Sequence, residues 1–260
     1  MLIELDSFAN LMLALPRFFI DQPLVDGAEL ALPFALARHV KVLRLQPGSP
    51  VSLFNGRGGE FLASITHIDR HAVAVQVGAY NPVERELARP VTLAVGMPAN
   101  DRMDALIEKG TELGMSRLVP LVCGRSVLRL HGERVEKKLE HWRGVAIAAC
   151  EQCGRTRLPS LESISSLATW LQTLPPPGGD VRWALSLSEH AQPLAQQTTS
   201  IASQTSPVTI LSGPEGGLRP EEEALARQHG FMLVSLGRRV LRADTAPLAA
   251  LASLSAMSNV

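Results

Sequence analysis

Two glycine-containing turns in the C-terminal half of the sequence have the composition of a ligand-binding site. Gly213–Gly217 (GPEGG) follows the apolar run "VTILS", and Gly237–Arg242 follows "FMLVSL". Glycines let backbone N–H and C=O groups approach a ligand closely, and Glu215 adds a carboxylate. Both turns lack the Lys and Ser/Thr of a triphosphate-binding loop. The pattern favours a ligand with the edges of an adenine, a ribose and an amino acid, although such a turn taken alone is more often purely structural.

The elements that would position these turns alternate between strand and helix. Short apolar runs after Pro90 indicate strands, namely "VTLAVGM", "LVPLVC", "VRWALSL", "VTILS" and "FMLVSL", with amphipathic stretches between them. This alternation predicts an α/β domain over residues 90–260, built on a parallel sheet of about five strands covered on both faces. Ligands bind such a sheet beyond the carboxyl ends of its strands, where both glycine turns are expected.

The first 85 residues are instead typical of β structure. Asn55-Gly56 lies between two apolar runs, which is a strong hairpin signal, and further short strands suggest a small barrel. The polar stretch Asn81–Pro90 is bracketed by prolines and is expected to be a linker. The sequence thus predicts a first domain over residues 1–85, which includes an N-terminal extension.

Composition excludes several classes of protein. Lys+Arg and Asp+Glu both number 25, so no net charge argues for nucleic acid or membrane. No apolar run is long enough to cross a bilayer, and a cytoplasmic location is expected. The three cysteines fit neither a disulfide framework nor a metal site. One stretch, Arg117–Arg157, carries nine Lys/Arg against four Glu, which fits either a solvated helix face or an RNA contact.

Several segments, taken together and in order, resemble a known family. "GPEGG" followed by "SLGRRVLRADTAPLAALA" resembles the signature of the SPOUT methyltransferases. "FNGRGGEFLASI", "RMDALIEKGTELGMSRLVPLVCGRSV" and "EQCGRTRLP" are similar to segments of the ribosomal RNA small subunit methyltransferase E family, which methylates N3 of a uridine in 16S rRNA. The similarity runs from about Pro16 to the C-terminus. Each fragment is weak by itself, but their ordered combination is specific.

The resemblance implies a PUA-like β-barrel for RNA and a SPOUT α/β domain with a deep trefoil knot. It also implies S-adenosyl-L-methionine as cofactor, 16S rRNA within the 30S subunit as partner, and a homodimer. Gly124 and Asp244 both stand where the family usually has Glu, and Arg219 stands in place of a usual helix cap. The residues that the resemblance places around the cofactor are Leu187, Ser188, Gly213, Pro214, Glu215, Gly216, Gly217, Leu236, Gly237, Val240, Leu241, Arg242, Thr245 and Ala246.

Methylation at N3 makes two demands on the site. The imide proton must leave before N3 becomes a good nucleophile, and charge develops on the flanking carbonyl oxygens. An Arg suits the second task because its guanidinium keeps its charge and offers several donors. The catalytic candidates in the matched motifs are Arg17, Glu112, Arg125, Arg155 and Arg242, with Glu151 and Asp244 as further possible proton acceptors and the base unassigned. The candidates for contact with RNA phosphates are Arg17, Lys41, Arg44, Arg57, Arg129, Lys137, Lys138 and Arg143.

Two other functions fit parts of the same pattern. Another SPOUT activity, 2′-O-ribose methylation, would share the fold, but an Asn/Ser-rich third loop is expected there rather than "LGRRVLRADTA". A catalytically silent RNA-binding protein would use the barrel and the basic stretch alone. Retention of both glycine turns argues against it. For every charged candidate a salt bridge or helix cap is the alternative role.

Overall fold

The computed structural model describes residues 14–70, 72–127, 132–201 and 205–257. The chain divides into two compact units. The N-terminal unit combines Met1–Glu86 with a later segment, Cys150–Leu158. The C-terminal unit combines Leu87–Ala149 with Pro159–Val260.

The N-terminal unit is built on a five-stranded sheet in the order β1-β3-β4-β5-β2. Its elements are β1 (Arg17–Phe19), β2 (Glu29–Ala31), α1 (Phe34–Val42), β3 (Pro50–Phe54), β4 (Glu60–Ile68) and β5 (Val73–Asn81). Strand β1 runs parallel to β3, whereas the other pairs are antiparallel. The hairpin predicted at Asn55-Gly56 is confirmed, since β3 and β4 pair on either side of it. Every second residue of β5 from Val73 to Val77 is buried, as expected for a strand with one face in a core.

The C-terminal unit is built on an eight-stranded sheet whose strands all pair in parallel. The longer strands are those predicted from the sequence: β6 (Val91–Gly96), β7 (Arg117–Val122), β10 (Val181–Leu185), β12 (Val208–Ser212) and β13 (Met232–Ser235). The two-residue strands are β8 (Ser160–Leu161), β9 (Ser165–Ser166) and β11 (Gln192–Pro193). The order is β11-β13-β10-β12-β6-β7-β8, and β9 also pairs with β7.

Helices connect these strands and cover both faces of the sheet. They are α2 (Asn100–Glu112), α3 (Glu133–Cys153), α4 (Leu167–Thr173), α5 (Leu194–Ser200), α6 (Pro220–Gln228) and α7 (Thr245–Met257). Neighbouring residues of one strand enter different cores: Ile210 packs in a cluster with Trp142 and Trp183, and Leu211 packs in a second cluster with Phe231. Continuous apolar strands are therefore buried on both sides, as predicted.

Candidate functional site

A cavity of about 410 Å³ lies beyond the carboxyl ends of β10, β12 and β13. This is the edge at which open parallel sheets bind ligands. Its walls come mainly from the loops after these three strands, with residues from the starts of α6 and α7 and one side chain from the segment after β7. The lining residues are Arg125, Leu185, Ser186, Leu187, Ser188, Ser212, Gly213, Pro214, Glu215, Gly216, Gly217, Leu218, Pro220, Glu223, Val234, Leu236, Gly237, Arg239, Val240, Leu241, Arg242, Ala243 and Ala246.

The GPEGG turn needs its glycines for two different reasons. A Cβ on Gly213 would lie 2.6 Å from the backbone nitrogen of Leu218 and 2.7 Å from the carbonyl carbon of Gly217. Gly217 has φ +69°, which side chains disfavour, and its N–H donates to the Pro214 carbonyl at 2.8 Å. The turn is therefore closed too tightly for any residue other than glycine at 213.

Two charged side chains of the site fasten this turn. The Arg125 Nη1 donates to the carbonyl oxygens of Gly216 at 2.7 Å and Leu218 at 3.2 Å. The Glu215 Oε1 accepts from the Ala99 N–H at 2.9 Å and from Arg102 at 3.3 Å. Both groups thus hold the backbone of the turn in place, a role that the sequence pattern does not indicate.

A second carboxylate in the cavity was missed by the sequence reasoning. Glu223 lines the cavity and accepts a hydrogen bond from the Ser186 hydroxyl at 2.8 Å. The Ser186 oxygen in turn accepts from the Ser188 N–H at 3.0 Å. Glu223 belongs to the run of acids that opens α6, which favours a role at the helix dipole. The sequence position of Glu223 could have predicted this role, because a helix that starts at the binding edge of the sheet has one face next to the ligand.

The mouth of the cavity combines apolar and basic side chains. Leu187 is 67% exposed and Val240 is 79% exposed, so both present apolar surface at the opening. Arg239 and Arg242 line the same cavity and are exposed. Within the described residues, the Arg242 guanidinium makes no hydrogen bond or ion pair, which leaves it available to a ligand.

Comparison with known proteins gives the family. An RNA methyltransferase domain matches residues 85–255, and an RNA methyltransferase PUA domain matches residues 35–78. The ribosomal RNA small subunit methyltransferase E of Bacillus subtilis is 31% identical over 245 residues, which cover 92% of this chain and 95% of that protein. The chain belongs to the ribosomal RNA small subunit methyltransferase E family.

Solved structures agree with this assignment. The methyltransferase E from Neisseria gonorrhoeae, bound to S-adenosyl methionine, is 33% identical, with a TM-score of 0.84 over 92% of this chain and 96% of that chain. A protein from Legionella pneumophila in complex with the bound cofactor SAM is 32% identical, with a TM-score of 0.86 over 93% and 97%. The predicted combination of a SPOUT-type α/β domain and a PUA-like domain is confirmed. The trefoil knot stays a prediction.

For this member of the methyltransferase E family, the cavity gathers nearly all the residues that were predicted to hold the cofactor. Thr245 is the exception, since it is not among the lining residues. Of the catalytic candidates, Arg125 and Arg242 lie at the cavity. Glu112 does not: its carboxylate, at the end of α2, accepts from Lys109 at 2.7 Å.

The remaining two catalytic candidates lie in the N-terminal unit, where acids neutralise them. Arg17 is 6% exposed, pairs with the buried Glu60, and donates to the carbonyls of Gly154 and Arg155 at 3.2 Å. Arg155 is 4% exposed and pairs with Glu86. Both guanidiniums bind within the unit, so in this conformation neither offers its charge to a substrate.

The other carboxylates considered as proton acceptors also have defined surroundings. Glu151 accepts from the Phe19 N–H at 2.9 Å, and burial raises the pKa of its carboxyl, against the lowering effect of that hydrogen bond. Asp244 lies between Ala243 and Ala246, which line the cavity, and its Oδ1 is buried without a hydrogen-bond partner among the described residues. Asp244 is therefore the carboxylate of this group that lies nearest to the cavity along the chain.

The family differences at Gly124 and Arg219 meet in one contact. The Arg219 Nη2 donates to the Gly124 carbonyl at 2.8 Å, and Glu222 accepts from the Gly124 N–H at 2.7 Å. A Cβ on Gly124 would lie 2.5 Å from the Arg219 Nε. The side chain of Arg219 thus occupies the space that a side chain at 124 would need.

Some of the positively charged candidates for RNA contact are paired with other groups in the fold. On α3, Lys137 lies 3.8 Å from Glu133 and Lys138 lies 3.4 Å from Asp104, whereas Arg143 is exposed. In the N-terminal unit, Arg44 and Arg57 are exposed and Lys41 donates to the Arg70 carbonyl at 2.9 Å. Arg129 lies outside the described residues. Two of these candidates, Lys137 and Lys138, are therefore matched locally by acids.

Among the described residues, no helix is long and apolar enough to span a membrane. The same residues contain no group of three His, Cys, Asp or Glu side chains arranged to hold a metal ion.

Proposed function

We propose that this chain transfers the methyl group of S-adenosyl-L-methionine to N3 of a specific uridine in 16S rRNA of the small ribosomal subunit. The observation that carries the proposal is the cavity itself, with its glycine turn and basic mouth, in a chain of the methyltransferase E family. A homodimer and an assembled 30S substrate belong to the same proposal and rest on the family resemblance.

The cavity fits the cofactor in size and in chemistry. Its volume of about 410 Å³ lies in the range of small-molecule sites, roughly 300 to 1,000 Å³. Leu187 and Val240 offer apolar surface to an adenine, while the turn offers backbone groups to its polar edges. Glu223 offers a carboxylate to the positive part of the ligand. No phosphate has to be bound, which explains why a P-loop lysine is absent from the turn.

The cofactor supplies a methyl group on a positively charged sulfur, which needs no metal for activation. The reaction forms a bond from N3 to carbon and breaks the bond from sulfur to that carbon, while the N3 proton passes to a base. Arg242 is assigned the task of stabilising charge on the uridine carbonyl oxygens, because its guanidinium lies at the cavity without a competing acid among the described residues. Arg125 is assigned a positioning role, because its Nη1 already binds two carbonyls of the turn.

Asp244 is the first residue to test as the proton acceptor, since Ala243 and Ala246 on either side of it line the cavity and its Oδ1 has no hydrogen-bond partner among the described residues. A substrate proton would satisfy that oxygen. Asp244→Asn should lower kcat and change its pH dependence, whereas Asp244→Glu should restore part of the rate. An unchanged pH profile in Asp244→Asn would remove Asp244 from this role.

The substrate class is tested by transfer of a labelled methyl group. Purified protein is incubated with labelled S-adenosyl-L-methionine and with 30S subunits, 50S subunits or bulk tRNA from cells that lack the enzyme. Label is expected in 16S rRNA alone. Labelling of tRNA or 23S rRNA would favour a different SPOUT activity, and cofactor binding without any transfer would contradict the proposal. Sedimentation of the pure protein tests the dimer, whose mass should be twice the 28.0 kDa of one chain.

A further inference from the structure

The third loop of the cavity carries three arginines within five residues: Arg238, Arg239 and Arg242. All three are exposed. Within the described residues, none of them makes an ion pair or a side-chain hydrogen bond. The glycine before them, Gly237, has φ +102° and binds Ser235 through its N–H at 3.2 Å, so the base of the loop has a fixed shape. The loop therefore holds three uncompensated positive charges close together.

Within the described parts of the chain, several arginines elsewhere in the fold form ion pairs, unlike the three in this loop. Three arginines of the basic stretch are neutralised: Arg117 by Glu162, Arg155 by Glu86 and Arg157 by Glu84. Exposed arginines that make no ion pair among the described residues do occur, for example Arg134 and Arg227, but neither adjoins another arginine in the chain or lines the cavity. Like charges that are placed together repel one another, and an anion bound between them removes that repulsion.

The position of the loop indicates which anion this is. Arg239 and Arg242 line the cavity, and Arg238 precedes them in the same loop. A small carboxylate or phosphate needs one or two donors, whereas a polynucleotide brings a series of phosphates. Two cations in the wall of a pocket and a third beside them in the chain match a strand that delivers one unstacked nucleotide into it.

We propose that Arg238 and Arg239 bind the phosphates of the RNA strand that flank the target nucleotide, while Arg242 faces the reacting base. The proposal rests on the proposed function, since it takes the substrate to be RNA. In this proposal the third loop, and not the stretch 117–157, makes the main electrostatic contact of the C-terminal unit with RNA. Arg238 and Arg239 then act in substrate binding and are separate from the chemistry.

The test removes these two charges and compares a matched pair. Arg238→Gln/Arg239→Gln is compared with Arg134→Gln/Arg227→Gln, which loses the same charge from two other exposed arginines. Affinity for 30S subunits without the modification is measured by filter binding over a salt series. Affinity for S-adenosyl-L-methionine is measured by calorimetry, and initial rates give kcat and KM for the subunit.

The loop variant should bind the subunit more weakly and with a shallower salt dependence. Two single-strand phosphate contacts account for a slope of about 1.4 in log K against log salt. The ratio of wild-type to variant affinity should therefore shrink about sevenfold between roughly 50 and 200 mM salt. KM should rise with kcat nearly unchanged, and cofactor affinity should stay within about twofold. The control pair should leave all these quantities near wild type.

An unchanged salt slope in the loop variant would overturn the proposal. Loss of cofactor affinity at an unchanged slope would also overturn it, by assigning these arginines to the carboxylate of the small ligand. Failure of the proposed function has a different signature, because the wild-type protein would then transfer no methyl group to 16S rRNA whatever the salt slope.

Discussion

The tight closure of the GPEGG turn makes a quantitative prediction for three single substitutions. In Gly213→Ala the new Cβ would lie 2.6 Å from the Leu218 nitrogen, about 0.8 Å short of an ordinary contact of 3.4 Å. Both neighbours are backbone, so the turn itself must open. Displacements of this size cost a binding or catalytic site about 100-fold. We therefore expect the affinity for S-adenosyl-L-methionine to fall by about 100-fold, or about 2.7 kcal/mol.

Two neighbouring glycines provide matched controls for this effect. A Cβ on Gly217 would meet nothing within 4 Å, but φ there is +69°, a strain of about 1 to 2 kcal/mol for alanine. Gly217→Ala should thus cost about tenfold in affinity. A Cβ on Gly216 would lie 3.0 Å from the Cδ and 3.1 Å from the Cβ of Arg125, which is less severe than the backbone clash at Gly213. Gly216→Ala should cost no more than about threefold, since a shift of a few tenths of an ångström relieves both contacts.

The assay is calorimetric titration with S-adenosyl-L-methionine, with circular dichroism to show that each variant is folded at the assay temperature. The predicted order of losses is Gly213→Ala, then Gly217→Ala, then Gly216→Ala. A folded Gly213→Ala variant that binds the cofactor as tightly as wild type would refute the reasoning, because the turn would then tolerate the clash or lie outside the binding site.

Further predictions concern charge and burial. Glu223→Gln should weaken binding of S-adenosyl-L-methionine about tenfold, and binding of the uncharged thioether product much less. Calorimetry with both ligands measures the two losses, and equal losses would contradict a contact between Glu223 and the positive charge. Burial tends to raise the pKa of Asp104, yet its hydrogen bond with His141 and the charge of Lys138 hold the pKa below its usual value. The resulting stability is present above the ordinary carboxyl pKa and is lost as pH falls through the lower native-state pKa. Asp104→Asn should therefore destabilise by about 1 kcal/mol near pH 7, and the difference from wild type should shrink with falling pH in denaturant unfolding. Burial raises the pKa of the thiols of Cys123 and Cys150 to about 12, so native protein at pH 8 should be alkylated at Cys153 first. Mass spectrometry identifies the modified cysteine, and earlier alkylation of Cys123 or Cys150 would contradict this prediction.

Much of the fold follows from local patterns in the sequence. The five longer strands of the C-terminal sheet are apolar runs, and Asn55-Gly56 marks a hairpin by its turn chemistry, so short windows suffice to predict them, whereas the two-residue strands β8, β9 and β11 were not predicted. The glycine turns could be located as a site because parallel strands deliver their loops to one edge. What those turns bind was predicted from the family resemblance, since glycine spacing alone fits many turns.

The parts that escaped prediction depend on contacts between distant residues. Arg17 pairs with Glu60, 43 positions away, and Arg155 pairs with Glu86, 69 positions away. A charge count along the sequence registers the arginines but not the acids that neutralise them. Glu223 was missed for a related reason, since its contact with Ser186 joins the first turn of α6 to a loop residue 37 positions away in the chain. Local patterns therefore located the site, whereas the assignment of charges within it needed the fold.

The central claim is the identity of the methylated atom, and nucleoside analysis tests it most directly. 30S subunits lacking the modification are treated with the protein and S-adenosyl-L-methionine, and the 16S rRNA is digested and resolved by liquid chromatography with mass spectrometry. Wild type should form one new product, N3-methyluridine, and Arg242→Ala should form much less of it. A 2′-O-methylated nucleoside, or no methylated product from protein that binds the cofactor, would contradict methylation at N3.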